Sequence, residues 1–125
     1  MNKEFRCIAI DDDKLFLRKV DVFAEEIPWL EILATYSNPV QGATAVISEN
    51  PDLILLDMEM PHIDGLYLLD WLEPRWKNTQ FPKVIIISSL DLENGSPIKN
   101  IHGVIHKNKL NTPESFKEEL EKILG

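Results

Sequence analysis

The sequence predicts an α/β domain, a three-layer α/β/α sandwich with helices on both faces of a parallel sheet of about five strands. Three observations carry that prediction. Strand-like and helix-like patterns alternate along the whole chain. The strand-like runs are continuously apolar, as strands buried on both faces are. Four of them stop abruptly at polar or charged residues, and ligand sites in such sheets lie beyond the carboxyl ends of the strands.

The elements follow in order. Phe5 to Ile10 is a short apolar run halted by Asp11, Asp12 and Asp13, and reads as a first buried strand. Leu15, Phe16, Val20, Phe23 and Ile27 recur at helical spacing until Pro28. Leu30 to Tyr36 is the second strand. Asn38 with Pro39 behind it predicts an N-cap and a proline at the first helical position. Val40, Ala43, Val46 and Ile47 form that helix's apolar face, and Asn50-Pro51 ends it. Leu53 to Leu56 is the third strand, with Asp57 at its end. Leu66, Leu69, Leu72 and Trp76 mark a third helix starting near Asp64-Gly65. Val84 to Ile87 is the fourth strand, ending at Ser88 and Ser89. Val104 to His106 is the fifth, ending at Lys107. Thr112 and Pro113 open a last helix with Phe116, Leu120, Ile123 and Leu124 on one face.

Length and composition bound the function. The chain has 125 residues, enough for one domain with one core, read as a single unit over 1–125. Thirteen basic residues against 21 acidic ones give a net charge of -8, which argues against direct nucleic-acid binding and against an anionic membrane surface. The one cysteine, Cys7, excludes an internal disulfide and reads as a buried strand residue. No apolar stretch is long enough to span a bilayer and no signal-peptide pattern opens the chain, so a cytoplasmic protein is expected.

The strand ends bring together a chemically coherent set. Asp11, Asp12 and Asp57 would repel one another at the edge of a low-dielectric sheet unless a cation neutralises them. A hard divalent ion with oxygen ligands suits them, and Mg²⁺ takes one or two carboxylates with water and phosphate. Lys107 supplies a fixed positive charge and Ser88 a hydroxyl able to donate to an oxyanion. With a phosphoryl donor in that pocket, Asp57 is a nucleophile forming an aspartyl phosphate, and Mg²⁺, Lys107 and Ser88 stabilise the transferring group. No general base is required, because a carboxylate is expected to be ionised already at neutral pH.

Ala9-Ile10-Asp11-Asp12-Asp13, the run Asp52 to Pro61 with Asp57 inside it, Asp64-Gly65-Leu66, Ile86-Ile87-Ser88-Ser89 and Lys107 together resemble the receiver domains of two-component response regulators. The resemblance covers essentially the whole chain in order and implies a flavodoxin-like (CheY-like) fold. It implies Asp57 as phosphoacceptor and Asp11 and Asp12 as the acidic pair at the metal with Asp57, Asp12 the more direct ligand of the pair. Glu59 stands where the family contributes a backbone carbonyl to Mg²⁺. Ser88 would be the switch hydroxyl and Lys107 the phosphoryl partner. The donor would be a phosphohistidine on a sensor histidine kinase, or a small phosphodonor. Such a domain is barely an enzyme, since it only accepts and hydrolyses its own phosphoryl group. The stretch Ile27 to Ile32 and Ser37-Asn38-Pro39 is similar to receivers attached to LytTR-type DNA-binding domains. That similarity implies an effector domain after residue 125, or a separate one, with this chain a stand-alone relative or a fragment. Homodimerisation is left open.

Three departures from the family pattern stand out. Val104 occupies the fifth-strand position usually held by an aromatic residue, which puts the usual conformational output in doubt. Asn108 follows Lys107 where the family has a proline in a cis bond. A cis bond before a residue other than proline costs roughly 2.5–4 kcal/mol, so a trans bond is expected unless local contacts hold a cis one, with consequences for the placement of Lys107. Asn94-Gly95-Ser96-Pro97 interrupts the stretch Leu90 to Ile101, and Gly costs ~1 and Pro ~3 kcal/mol inside a helix, so a shortened or irregular fourth helix is predicted.

Other readings compete. Val104, Asn108 and the interrupted fourth helix favour a phosphorylation-independent pseudo-receiver acting only as an interaction module. A haloacid-dehalogenase-type phosphatase would need a second aspartate where Glu59 stands, and a cap domain for which the chain has no room. A flavin-binding relative lacks a phosphate loop after the first strand. Asp13 reads as an N-cap rather than a third ligand. Glu59 is also an exposed loop acid able to restrain attacking water or repel phosphate. Ser89 reads as a packing residue, and Leu90 as either a shield over the site or an exposed loop position. His102 and His106, four apart on a strand, sit about 13 Å from each other and do not suit chelation. His62, Trp29, Trp71 and Trp76 carry no cofactor signal.

Overall fold

The computed structural model describes residues 3–61, 63–76, 80–90 and 101–125. Five parallel strands form one sheet: β1 (Phe5–Ile10), β2 (Leu30–Tyr36), β3 (Leu53–Asp57), β4 (Lys83–Ser88) and β5 (Gly103–His106). Their spatial order is β2-β1-β3-β4-β5. The helices among the described residues are α1 (Lys14–Ala24), α2 (Pro39–Glu49), α3 (Gly65–Leu72) and α4 (Pro113–Leu124). This is the flavodoxin-like arrangement of a doubly wound sheet, with its topological switch between β1 and β3.

Side chains of the central strands alternate between two buried faces, which is why β3 and β4 carry apolar runs, whereas β2 at the edge is mostly half-buried. Phe5, Cys7, Ala9, Leu53, Leu55, Ile85, Ile87 and Ile105 point to one side, where Phe16, Leu17 and Val20 of α1 and Phe116 and Leu120 of α4 cover them. Ile8, Ile10, Ile54, Leu56, Val84 and Ile86 point to the other, under Ala43 and Val46 of α2 and Leu68, Leu69 and Leu72 of α3. Cys7 is buried and free, and burial pushes its thiol pKa up, so it stays protonated and packs as a small hydrophobe.

Each helix starts where a side chain satisfies its open N–H groups. Asp13 accepts from the backbone N–H groups of Leu15 and Phe16, and Asn38 from those of Val40 and Gln41. Asp64 accepts from Tyr67, and Thr112 with Ser115 forms a reciprocal capping box. Asn50 closes α2 in the left-handed conformation at φ 52°.

Several sequence expectations shift. The core face of α1 is Phe16, Leu17, Val20 and Ala24, whereas Leu15 is 72% exposed. Asp13 fixes where the helix starts, and from that start the stripe directed at the sheet begins at Phe16. Helix α1 also ends at Ala24, so Ile27 reaches the core from the turn behind it. Val40, in the first turn of α2, is 67% exposed rather than part of the core. Trp76 does not belong to the third helix, which stops at Leu72 and continues as a 3₁₀ turn, Glu73–Arg75, containing Pro74. Trp76 is extended, packs edge-on against Phe81 with ring centroids 5.4 Å apart, and donates its indole N–H to the Gln80 carbonyl. Glu59–Met60 and Ile63–Asp64 form a short antiparallel ladder that no sequence pattern predicts. The predicted break in the fourth helix falls at 94–97, outside the described residues.

No described peptide bond is cis, so Asn108 follows Lys107 through a trans bond. His106 Nδ1 accepts from the Asn108 N–H and caps the 3₁₀ turn Lys107–Lys109. Val104 on β5 is 42% exposed.

Leu72 is fully buried beneath the face shared by α2 and α3. Leu72→Ala is expected to cost about 2–5 kcal/mol, from lost burial and the cavity left behind. Urea unfolding checks this, and a loss below about 1 kcal/mol would mean that this face is far more plastic than its packing implies.

Candidate functional site: an acidic pocket at the carboxyl ends of the strands

Parallel pairing places the ends of β1, β3, β4 and β5 side by side, and with them Asp11, Asp57, Ser88 and Lys107. Asp11 and Asp57 are each only 2% exposed, and Ser88 is fully buried. Asp12 sits at the rim, exposed. One carboxylate oxygen from each of Asp11, Asp12 and Asp57 lies within 4.8 Å of the others, a spacing that could hold one metal ion. The cluster offers only hard oxygen donors, which suits Mg²⁺ and not a soft metal.

Lys107 answers this negative charge. Its ammonium lies 2.8 Å from Asp11 Oδ2 and 3.9 Å from Asp57 Oδ1. It also stands 4.8 Å from the centre of the Phe16 ring, which lines its approach and adds a cation–π attraction. The replacement of the usual proline by Asn108 has therefore not displaced Lys107 from the pocket. Asp11 is further held by the Asp13 N–H, which donates to its Oδ1 at 2.8 Å. Asp13 itself is the α1 cap, as its position predicted, and is not one of the clustered acids.

The backbone around Asp57 is tightly fixed. Met58 N–H donates to the Ile87 carbonyl and Gly65 N–H to the Met58 carbonyl. A Cβ at Gly65 would stand 2.8 Å from the Asp57 carbonyl oxygen, so only glycine lets α3 begin so close to the acceptor strand. The Glu59 N–H donates to Asp57 Oδ1 at 3.3 Å.

Ser88 and Glu59 are bonded to each other. The Ser88 hydroxyl donates to Glu59 Oε1 at 2.7 Å and accepts from the Leu90 N–H at 3.0 Å. The Glu59 side chain thus turns to Ser88 and is not among the clustered carboxylates. Ser89 and Leu90 are exposed. His102 extends the sheet, exchanging hydrogen bonds with the backbone of Val84.

The charges are strongly coupled. Burial, then the neighbouring charge of Asp11 and a hydrogen bond with Asp12, push the Asp57 pKa up to about 8, against the pull of Lys107 and the Glu59 N–H. Asp11 is also raised, by burial, with Lys107 and the Asp13 N–H opposing. Burial lowers the Lys107 pKa, but the hydrogen bond to Asp11 and the charges of Asp11, Asp57 and Asp13 outweigh it, so Lys107 stays protonated. In the metal-free domain, burial and the charge of Asp11 thus oppose the ionisation of Asp57 that attack on phosphorus requires. Sequence order reveals neither the burial nor the closeness to Asp11 that causes this.

The fold and pocket define a flavodoxin-like domain built around a strand-end aspartate, and the comparisons with known proteins agree. The response regulator receiver domain family matches residues 7–107, and the chain belongs to that family. The chain is 34% identical over 94 residues to a protein-glutamate methylesterase/protein-glutamine glutaminase of Methanospirillum hungatei, covering 74% of this chain and 26% of that protein. It is 31% identical over 86 residues to the transcriptional regulatory protein BtsR of Escherichia coli, covering 69% of this chain and 34% of that one. The chain thus spans about a quarter to a third of the length of these curated relatives. Two solved structures share the fold. The signal receiver domain of NarL from Mycobacterium tuberculosis superposes with a TM-score of 0.75 at 21% identity, covering 98% of each chain. The response regulator domain of Thermotoga maritima CheB gives 0.72 at 21% identity, covering 97% of this chain and 94% of that one. The domain is a signalling module of two-component systems. In the methylesterase relative, the matched segment is a fraction of a larger protein.

The raised pKa of Asp57 sets the sign of a pH effect. Without metal, the folded domain binds a proton more readily than the unfolded chain between the ordinary 3.8 and about 8. Stability from that proton is present below this window and lost as pH rises through it. In a chelating buffer, the urea midpoint is expected to fall with pH across the window, and less steeply in Asp57→Asn. Equal slopes for the two proteins would contradict the assigned burial of Asp57.

Proposed function

We propose that this domain accepts a phosphoryl group on Asp57 and that the modification controls its contacts with other proteins. The convergence of Asp11, Asp12, Asp57 and Lys107 at adjoining strand ends carries this reading. Asp11, Asp12 and Asp57 would hold Mg²⁺, with the Glu59 backbone carbonyl completing the protein ligands. Mg²⁺, when bound, neutralises the crowded carboxylates and the charge on the phosphoryl oxygens. That neutralisation favours the ionised form of Asp57 needed for attack.

An Asp57 carboxylate oxygen forms the new bond to phosphorus. The bond from phosphorus to the donor breaks, and its electron pair leaves with the donor, the imidazole nitrogen of a sensor kinase's phosphohistidine or the acyl oxygen of a small phosphodonor. Lys107 releases one of its two carboxylate contacts to meet a phosphoryl oxygen, its charge kept by Asp11. Ser88 contributes its hydroxyl once the product forms. Residues 1–125 act as one receiver, located in the cytoplasm, working with an effector in the same chain or a separate one. A pseudo-receiver is disfavoured, because the acceptor, acidic pair, serine and lysine are all present and Lys107 reaches the pocket in spite of Asn108.

Intact mass after incubation with acetyl phosphate and Mg²⁺ tests this. One added phosphoryl group is expected, absent in Asp57→Asn and absent in chelator. Lys107→Ala is expected to slow the addition about 10²-fold, the scale for losing one transition-state charge partner. No addition to the wild-type chain, with prompt quenching, would sink the proposal.

A further inference from the structure

Ser88 is fully buried and both capacities of its hydroxyl are engaged. Its proton goes to Glu59 Oε1 at 2.7 Å, and a lone pair takes the Leu90 N–H at 3.0 Å. A hydroxyl has one proton to give. Ser88 therefore cannot donate to a phosphoryl group on Asp57 while it donates to Glu59. The competing bond is strong, because a hydrogen bond to an ionised acceptor is about twice as strong as a neutral one.

Glu59 is well placed to hold this bond. It lies two residues beyond Asp57, its own N–H contacts Asp57 Oδ1, and its backbone pairs with Asp64 in the short ladder before α3. The same carboxylate would stand close to the incoming phosphoryl charge, which would repel it. The two arrangements exclude each other, with Ser88 bonded either to Glu59 or to the phosphoryl group.

We propose that Glu59 is a positioning residue that latches the Ser88 hydroxyl in the unphosphorylated domain and so sets the threshold at which phosphorylation throws the switch. This rests on the reading of Asp57 as the acceptor. Glu59 acts through Ser88, and the strength of this one bond sets how far the switched state is held back before phosphorylation.

The test is a double-mutant cycle read as the affinity for beryllofluoride, a phosphoryl mimic, in saturating Mg²⁺ by fluorine NMR. Glu59→Ala is expected to tighten binding, and Glu59→Gln to tighten it less, since the amide still accepts a hydrogen bond. The gain from Glu59→Ala should be roughly tenfold larger in the wild-type Ser88 background than in Ser88→Ala, the scale of one charge-assisted hydrogen bond. Simple charge repulsion by Glu59 would give the same gain in both backgrounds, and that result overturns the latch while leaving Asp57 as acceptor. Failure of wild-type protein to bind beryllofluoride at all would overturn the acceptor reading and the latch with it.

Discussion

The structure depends on one electrostatic constraint: three aspartates are gathered at the end of an apolar sheet, two of them almost completely buried. Desolvation, and then the neighbouring charge of Asp11, oppose the ionisation of Asp57, which is why its pKa rises to about 8. Lys107 offsets part of this through a short contact to Asp11 and a longer one to Asp57. One lysine cannot balance three carboxylates. The remaining negative charge is what a divalent cation would neutralise.

The sheet converts separated sequence positions into that pocket. The acidic and serine ends of β1, β3 and β4 meet because parallel pairing aligns their carboxyl ends, and β5 adds Lys107 at the edge. The two faces are closed by different helices, α1 with α4 and α2 with α3. A glycine at 65 lets α3 begin against the backbone of Asp57, so the acceptor strand and the neighbouring helix are locked together. Rigid strands hold Asp11 and Asp57, while Glu59 sits in a two-residue ladder on the connection to α3.

Local signals made most of the fold legible in the sequence. Asp13, Asn38 and Thr112 each precede a helix and bond to N–H groups two or three residues on, so their role is written in adjacent positions. Continuous apolar runs mark β3 and β4, whereas β1, β2 and β5 carry Arg6, Glu31 and His106 within theirs. Phase was harder, because Leu15 and Leu17 both suit a helical pattern and only the cap and the sheet decide between them. Trp76 fitted the spacing of the third helix, but Pro74 had already turned the chain into a 3₁₀ segment. Of the site, residue identities were legible and their couplings were not. The Ser88–Glu59 bond joins positions 29 apart, and the Phe16 ring reaches Lys107 only through the fold. Glu59 reads from sequence as an acid near the acceptor, but no spacing rule reveals that its side chain turns to the serine.

Calorimetric titration of the purified domain with Mg²⁺ at neutral pH tests the account most directly. One saturable site per chain is predicted for the wild-type protein, with binding lost in Asp57→Asn and at least tenfold weaker in Asp12→Asn, each substitution removing a charged oxygen ligand. Absence of binding, or binding unchanged in both variants, would contradict the assignment of the strand-end aspartates as a cation site.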